Sequence, residues 1–529
     1  MRVRDGSLVD RASSGQETLD TLLSAQARRN GSKTLLSFRA ERYSYADVDG
    51  LTTSLAVGFH DLGVRKGDNV CVMLPNCPEY ILAWMALAKV GAVTAGLNTE
   101  YRGAALLHMI ELTRARVLVV DASFAGAVEE IATQLTRLET IVYRSVSGWR
   151  PPNGLKRFAS RDYEDLAVVG DVLTAGGNAP SDPMMLLFTS GSTGPSKAAA
   201  ISHGYGLDIA NDVATHFSYR PDDVLYTPYP LFHTDAALVT FVAALTCGGT
   251  AALAERFSAS GFWGEVRSHG ATVFDYLGAV MVILFNQPAR ADDRDNPARL
   301  AVGAPAPRMW REFEQRFGCT VAELYGATEC GHPVMDPASG PERHRDGACG
   351  RVSPRFDVRV VSEADEPLPV GEVGEIVVRP RHANQHMSGY FGNPEATVRA
   401  WRNLWYHTGD YGRFDADGWL HYSGRKADRI RKRGNNMSAQ EVEDLLCLHP
   451  EVLEACAIGV ASDFTEQDVK ALLVLRNGRD LPGDEFLEWC RAHMPRYMVP
   501  SYVEIVTELP KGPTGKVQRT EIRKRWGDG

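Results

Sequence analysis

Short apolar or β-branched runs alternate with longer amphipathic stretches along much of the chain. Helical patterns occupy residues 18–29, 45–63 and 79–90, and strand-like runs occupy 34–38, 69–74, 117–120 and 140–144. The alternation returns after residue 223, with strand-like runs at 224–226, 250–254, 271–276, 300–303 and 321–325 and helical patterns at 236–245, 258–267, 278–286 and 309–317. Strands and helices in alternation predict parallel sheets covered by helices. We therefore expect two α/β subdomains.

The pattern changes in three other regions. Residues 147–183 are rich in Pro, Gly and Ser, and we expect a surface connection there. Residues 355–379 alternate in polarity around turn residues at 364–365 and 370–371, which predicts a small β subdomain. After Gly424 a basic run precedes strands and two helical patterns, which indicates a separate α+β domain. The fold class is thus α/β, with domains at 1–424 and 425–529.

A glycine- and hydroxyl-rich loop follows the apolar run 184–188. Its candidate phosphate-binding residues are Thr189, Ser190, Gly191, Ser192, Thr193, Gly194 and Lys197. Backbone N–H groups in such a loop can converge on an anion, and the Lys adds a positive charge. A P-loop is disfavoured because only two residues separate the glycines and Ala198 follows the Lys. A flexible linker is disfavoured by the apolar flanks.

This loop resembles the signature of the adenylate-forming superfamily, which includes acyl-CoA synthetases, luciferases and peptide-synthetase adenylation domains. Ser196 and Ala198 depart from its commonest form, but neither removes an anion-binding group. A second similar motif contains Tyr325, Gly326, Thr328 and Glu329, and Gly303, Ala304 and Pro305 match the segment that lies against adenine in the family. The resemblance implies purine stacking by the aromatic ring, phosphate bonding by the Thr and Mg²⁺ binding by Glu329.

Two further motifs extend the resemblance toward the C-terminus. Asp410 lies in a TGD motif, and in the family the carboxylate of this Asp accepts hydrogen bonds from both ribose hydroxyls. The resemblance implies that Arg425 makes a second ribose contact. Residues 510–519 are similar to the PxxxxGKxxR motif, which makes Lys516 the catalytic lysine. Ala427 stands where many relatives carry the hinge Asp or Lys, so the expected hinge is either less sharply defined here or shifted to a neighbouring residue.

The resemblance also implies where the acid and CoA bind. The acyl pocket is expected at His233, Thr234, Asp235, Tyr276, Leu277 and Gly278, and CoA contacts at Arg431, Arg433 and Gly434. His233 is a candidate catalytic group beside the carboxylate, together with Thr189 and Glu329, although a core histidine fits its local sequence equally well. Asp235 is suited to a cationic or hydroxylated acid or to a helix N-cap. The basic run 429–433 alternatively forms a solvated face.

Composition narrows the function classes. The formal net charge of −9 argues against a dedicated nucleic-acid binder. Nine scattered cysteines without a CxxC pair indicate free thiols in a reducing cytoplasm. No stretch predicts a signal peptide or an integral membrane segment: the most apolar run, residues 80–97, divides into a helix and a strand.

The sequence therefore predicts an ATP-dependent acid–CoA ligase, resembling most the carnitine/crotonobetaine-type and fatty-acyl CoA ligases. ATP, Mg²⁺, CoA and a small carboxylic acid are the expected ligands, and a homodimer is left open. The acid itself is left open between fatty, aryl, terpenoid and betaine types. The alternatives are an adenylating enzyme that serves a carrier protein or another acceptor, and an inactive nucleotide-binding relative.

Overall fold

The computed structural model describes residues 17–167, 177–189, 196–340, 342–432, 435–462, 466–476, 481–512 and 516–527. Contacts divide the chain into two compact units. The first unit comprises Met1–His344, Ser353–Phe356 and Pro380–Ala400, and the second comprises Arg345–Val352, Asp357–Arg379 and Trp401–Gly529. The domain boundary predicted at residue 424 marks an expected hinge and not a division by contacts, so these two units do not test it, and it stays a prediction.

One eight-stranded sheet of the first unit carries the start of the glycine-rich loop. In spatial order its strands are β19 (Gly389–Tyr390), β9 (Lys197–Ser202), β8 (Pro183–Thr189), β4 (Val93–Gly96), β3 (Asn69–Met73), β5 (Val117–Asp121), β6 (Thr140–Arg144) and β7 (Ala159–Asp162). The strands from β8 to β7 pair in parallel, whereas β8 with β9 and β9 with β19 pair antiparallel. Apart from the exposed edge strand β7, their apolar composition matches a sheet buried on both faces.

A second sheet of the same unit carries the YGATE motif. Its strands in this unit are, in order, β15 (Gly331–Met335), β14 (Thr320–Ala327), β13 (Leu300–Ala304), β12 (Val273–Leu277), β10 (Val224–Thr227), β11 (Thr250–Leu253), β1 (Thr34–Phe38) and β2 (Glu41–Ser44). The pairs from β14 to β1 are parallel, and the pairs at either end are antiparallel. The carboxyl ends of parallel strands form the edge where α/β sheets bind ligands.

Helices surround these sheets. They are α1 (Leu19–Asn30), α2 (Tyr45–Asp61), α3 (Pro78–Val90), α4 (Gly103–Thr113), α5 (Ala125–Ile131), α6 (His203–His216), α7 (Ala243–Cys247), α8 (Phe262–His269), α9 (Gly278–Phe285), α10 (Trp310–Phe317) and α11 (Pro394–Ala400), with a π-helical segment at Asp235–Val242. Helix α3 is buried over almost its whole length, which explains why its sequence is apolar on every face. Helix α2 begins at a capping box formed by Ser44 and Asp47.

The second unit is built mainly on antiparallel strand pairs. In order these are β17 (Phe356–Val361), β18 (Gly374–Pro380), β21 (Trp405–Phe414), β22 (Trp419–Arg425) and β16 (Gly350–Val352), with β20 (Trp401–Arg402) beside β21. The C-terminal part adds the pair β23 (Arg429–Lys432) and β24 (Asn435–Ser438), the sheet β25 (Val452–Val460), β26 (Asp468–Leu475) and β27 (Tyr502–Ile505), and helices α12 (Ala439–Leu446), α13 (Gly483–His493) and α14 (Arg519–Trp526). Val442, Leu446, Ala457 and Phe486 lie in its core.

The α/β class predicted from the sequence is confirmed, and the positive φ angles of Asp365 and Gly371 lie at the two predicted turns. The surface connection predicted for 147–183 is wrong in its first half, because β7 pairs with β6 and Leu155 and Phe158 are buried. Isolated apolar residues among polar ones gave no periodic signal there. None of the nine cysteines, all of which lie among the described residues, forms a disulfide.

No helix in the described part of the chain has both the length and the apolar character needed to cross a bilayer.

Candidate active site

Thr189 and Lys197 lie at the two ends of the glycine-rich loop. They are cross-strand partners in the β8/β9 pair, so Thr189 ends one strand and Lys197 begins the strand paired with it. Thr189 Oγ1 is buried and has no hydrogen-bond partner among the described residues. A buried hydroxyl without a partner is costly unless a ligand completes it. Five predicted residues of this loop, Ser190, Gly191, Ser192, Thr193 and Gly194, lie outside the described residues.

Lys197 and Glu329 are connected through one tyrosine. Lys197 Nζ lies 4.4 Å from the centre of the Tyr390 ring, and Tyr390 Oη donates to Glu329 Oε1 at 2.9 Å. The side chain of Glu329 is buried, and its backbone carbonyl accepts from Met387 N at 2.9 Å. The structure thus brings together two groups that are 132 positions apart in the sequence.

The YGATE segment is fixed by its neighbours. Tyr205 Oη donates to the carbonyl of Thr328 at 3.0 Å, and the Thr328 and Thr234 hydroxyls lie 3.0 Å apart. Burial, followed by the nearby Cys330 and Glu329, raises the pKa of Tyr205 well above its usual value, so Tyr205 remains a hydrogen-bond donor. Tyr325 is buried in β14. A Cβ added at Gly326 would lie 1.9 Å from the Gly331 carbonyl oxygen, so the close approach of β15 requires glycine there.

The Gly303–Ala304–Pro305 segment ends β13 beside Tyr276 of β12. A Cβ on Gly303 would lie 1.8 Å from the Tyr276 carbonyl oxygen, which explains the glycine. Tyr276 Oη donates to the Ala322 carbonyl at 3.1 Å, and Tyr229 Oη accepts from Leu277 N at 2.5 Å. Gly278 begins α9, where a Cβ would lie 2.7 Å from the Pro305 carbonyl oxygen. The predicted adenine segment and the predicted acyl-pocket residues of β12 are therefore adjacent.

The segment from His233 to Asp235 enters the π-helix. The carbonyl of His233 accepts from Ala237 N at 3.1 Å, and Asp235 begins the π-helical segment. Thr234 provides the contact to Thr328, so the predicted acid-binding segment touches the YGATE motif. π-helical turns occur frequently at functional sites.

A buried acid lies under this segment and was missed by sequence reasoning. Asp275 accepts from the hydroxyls of Thr227 at 2.8 Å and Thr240 at 3.3 Å, and its other oxygen has no partner in the described part of the chain. Burial, followed by the charge of Asp235, raises the pKa of Asp275 well above its ordinary value. Burial also lowers the pKa of His332 to about 4, so this histidine is neutral. The strand pattern of 271–276 gave no sign of a buried carboxyl group.

In the second unit, Asp410 and Arg425 are cross-strand partners on β21 and β22. Arg425 Nε lies 3.4 Å from Asp410 Oδ1. The turn before Asp410 is held by the Thr408 hydroxyl, which accepts from Asp410 N at 3.0 Å, and by Glu375, which accepts from Gly409 N at 3.2 Å. The two predicted ribose residues thus meet across one strand pair.

Lys516 lies exposed in the turn between Pro510 and Gln518. Gly512 N donates to the Lys516 carbonyl at 2.9 Å, and Gln518 N donates to the Pro510 carbonyl at 2.8 Å. Lys511, in the same turn, is held by Glu454 at 2.7 Å. The predicted catalytic lysine is therefore the more accessible of the two.

Arg519 closes this turn and was not predicted as a structural residue. Its guanidinium forms a two-pronged pair with Glu443, of which Nη2 to Oε2 measures 2.6 Å, and it donates to the Ala457 carbonyl at 3.2 Å. Arg519 Nε also lies 3.5 Å from Asp428 Oδ2. These contacts fasten the base of the Lys516 turn to α12 and β25.

The residues of the predicted CoA-binding run differ in exposure and in their contacts. Arg431 is 61% exposed and lies 3.3 Å from Glu466, so it remains accessible. Lys432, in the same basic run, is buried and donates to the Val499 carbonyl and to the Ser501 hydroxyl at 3.2 and 2.9 Å. The run is therefore not a uniformly solvated face. Arg433 and Gly434 lie outside the described residues.

A family model described as AMP-binding enzyme matches residues 23–391, and the model of its C-terminal domain matches residues 441–516. The chain belongs to the AMP-binding enzyme family. A similar relative is the crotonobetaine/carnitine–CoA ligase of Salmonella paratyphi A (strain ATCC 9150 / SARB42), 31% identical over 527 residues that cover 96% of this chain and 99% of the relative. The ligase of the same name from Escherichia coli O157:H7 is 31% identical, covering 91% of this chain and 93% of the relative.

Solved structures resemble this AMP-binding enzyme in fold. The anthranilate CoA ligase AuaEII in complex with anthranoyl-AMP has a TM-score of 0.87 at 23% identity and covers 99% of both chains. ATP-bound MatB from Rhodopseudomonas palustris has a TM-score of 0.85 at 24% identity, covering 96% of this chain and 99% of MatB. The resemblance to an adenylate-forming enzyme predicted from the motifs is confirmed.

Sequence reasoning missed one contact partner in the AMP-binding domain. Tyr390, between Lys197 and Glu329, belongs to none of the motifs considered. It lies in a two-residue strand, and such a short element gives no periodic signal. Only the pairing of β19 with β9 brings it to Lys197.

Proposed function

We propose that this AMP-binding enzyme is an ATP-dependent acid–CoA ligase. A carboxylate oxygen attacks the α-phosphorus of ATP and pyrophosphate leaves, giving acyl-AMP. The CoA sulfur then attacks the acyl carbon and AMP leaves, giving acyl-CoA. The observation that carries the proposal is the contact series from Lys197 through Tyr390 to Glu329, together with the buried Thr189 hydroxyl that has no partner among the described residues.

In the first step, positively and negatively charged side chains both hold the nucleotide. Lys197 and the Thr189 hydroxyl suit phosphate oxygens, because one is cationic and the other is a buried donor without a partner among the described residues. Asp410 suits the ribose diol, since a carboxylate offers acceptors to two hydroxyls, and Arg425 borders it. Tyr325 and the segment 303–305 are assigned to the adenine.

Glu329 is the residue that would hold Mg²⁺. One of its oxygens accepts from Tyr390, and a carboxylate is a hard oxygen ligand of the kind that Mg²⁺ prefers. Mg²⁺ commonly takes one or two carboxylates and completes its shell with substrate phosphates and water. When bound, the ion would offset the negative charge of the phosphates.

Lys516 is assigned to the developing charge between carboxylate and α-phosphate. Its exposed position in a short turn is suited to a group that enters and leaves a site. The second step requires that the domain carrying Lys516 rotate and present the region around Gly434 to CoA. Arg431 is a candidate contact for CoA phosphates, whereas Lys432 is already engaged with protein groups.

The acid is assigned to the segment 233–235 and to β12. His233 would lie beside the carboxylate, and Thr234 already contacts the YGATE motif through Thr328. The relatives named crotonobetaine/carnitine–CoA ligase make betaine acids the first substrates to test.

Pyrophosphate release tests the proposal directly. The panel contains crotonobetaine, carnitine, fatty acids and aryl acids, each with and without CoA, and acyl-CoA is identified by mass spectrometry. We expect release with at least one acid and a CoA-dependent thioester. Pyrophosphate release without a thioester would indicate an adenylating enzyme that serves another acceptor. Consumption of oxygen would indicate a luciferase-like reaction. No pyrophosphate release with any acid would indicate a nucleotide-binding protein without this activity.

A further inference from the structure

We propose that Tyr390 is a positioning residue that holds Lys197 and Glu329 apart while binding both. This inference rests on the proposed function, because it assigns Tyr390 a role in the binding of ATP and Mg²⁺.

The strand pairing places the ring beside the lysine. Tyr390 of β19 pairs with Ala199 of β9, and Lys197 is two positions before Ala199 on the same strand. Residues two apart on a strand point to the same face. The ammonium group consequently lies 4.4 Å from the ring centre, a distance typical of cation–π contacts.

The same short segment also holds the carboxylate. Tyr390 Oη donates to Glu329 Oε1 at 2.9 Å, and Met387, three residues earlier, donates its backbone N–H to the Glu329 carbonyl at 2.9 Å. Tyr390 is itself fixed, because its N–H donates to the Thr397 hydroxyl at 2.9 Å and its side chain is buried. Glu329 is therefore held through both its main chain and its side chain by residues 387–390.

The consequence is electrostatic. Lys197 and the buried Glu329 both contact Tyr390, and without it they would be free to form a direct ion pair in which each charge neutralises the other. The aromatic ring takes the place of that pair: its face attracts the ammonium group, and its hydroxyl occupies one carboxylate oxygen. The ammonium group then remains available for phosphate oxygens and the second carboxylate oxygen for the cation.

Two substitutions separate these functions. Tyr390→Phe removes the hydroxyl and keeps the ring, so Lys197 retains its contact while Glu329 loses a donor. Tyr390→Leu removes both, so Lys197 is free to pair with Glu329. Tyr163→Phe is the matched control, because Tyr163 is equally buried and its hydroxyl donates at 3.0 Å to a carbonyl, that of Glu79, outside the site.

ATP affinity is measured by calorimetry with and without Mg²⁺, alongside the unfolding temperature of each variant. For Tyr390→Phe we expect unchanged affinity for Mg²⁺-free ATP and a loss of about tenfold in the enhancement by Mg²⁺, the range of one charge-assisted hydrogen bond. For Tyr390→Leu we expect affinity for Mg²⁺-free ATP to fall as well. The double variant Tyr390→Leu with Glu329→Gln should regain affinity for Mg²⁺-free ATP, since Lys197 then has no carboxylate to pair with.

The outcomes are decisive in each direction. If Tyr390→Phe titrates like Tyr163→Phe while the wild-type chain binds ATP and forms acyl-CoA, the role of Tyr390 is refuted and the proposed function stands. Equal losses with and without Mg²⁺ that follow the unfolding temperature would reduce Tyr390 to a structural residue. Absence of ATP binding by the wild-type chain overturns both proposals.

Discussion

Replacing Arg519 by Met tests whether the base of the Lys516 turn depends on one buried ion pair. The side chain of Arg519 is 17% exposed and that of Glu443 is 7% exposed. Removing one partner of a buried pair costs about 3–5 kcal/mol, because the remaining charge stays buried without its counterion. Glu443 would keep its bond from Ala457 N, which donates to it at 2.7 Å.

Hydrogen exchange at the Ala457 amide measures this cost locally, and a local measurement is needed because a chain of several domains does not unfold in one step. At about 1.4 kcal/mol per factor of ten, exchange should accelerate by about a hundredfold to a few thousandfold in Arg519→Met. The double variant Arg519→Met with Glu443→Gln should recover much of the protection, since a neutral amide is far less costly to bury.

The loss should also depend on pH. Burial raises the pKa of Glu443, and Arg519 opposes that rise. Without Arg519 the pKa of Glu443 in the folded chain rises further, so the protonated form is favoured by folding. The stability is therefore better preserved at low pH and is lost as the pH rises through that pKa. A deficit that is independent of pH, or a double variant as unstable as the single one, would refute the buried-charge explanation.

Three further substitutions test the site. Lys516→Ala should reduce acyl-AMP formation by on the order of a hundredfold or more, yet leave thioester formation from supplied acyl-AMP intact; equal loss in both half-reactions would contradict a moving lysine. Gly303→Ala should lower the unfolding temperature and the nucleotide affinity, because the new methyl group would meet the Tyr276 carbonyl. Gly264→Ala is the control that should be tolerated, because no atom lies within 4 Å of its added Cβ. Thr189→Val should raise the KM for ATP by about tenfold. The unfolding temperature should not fall, since the Thr189 hydroxyl has no partner among the described residues. A lower unfolding temperature would indicate that the hydroxyl has a structural role instead.

The strands that position the site were largely predictable, because their signal is local. The runs 34–38 and 140–144 are strands over the expected residues, and helix α2 begins at the predicted Tyr45. Helix α4 was not predicted: its sequence mixes apolar residues with Gly, His and Thr. Strand β7 was not predicted either, because its four residues are all exposed and polar or small.

The candidate site was predictable only as far as motifs carry it. Lys197, Glu329 and Asp410 were assigned from short motifs, and in the structure Asp410 and Arg425 lie across one strand pair. The contacts that join motifs depend on tertiary pairing, as with Tyr390, or on a carboxyl group buried within a strand, as with Asp275. Neither leaves a pattern in the sequence.

The π-helical segment Asp235–Val242 has a consequence for how the proposed acid-binding segment can vary. Ala243 N donates to the carbonyl of Leu238, five residues earlier, so each turn there holds more residues than an α-helical turn. Deleting one residue from this segment would let it wind as an ordinary α-helix while β10 and α7 kept their places. Such a change would space the side chains of this segment at 3.6 residues per turn and so alter which of them share a face. If residues 233–235 bind the acid as proposed, one lost codon after residue 235 would change the shape of the pocket without exchanging any of those three side chains.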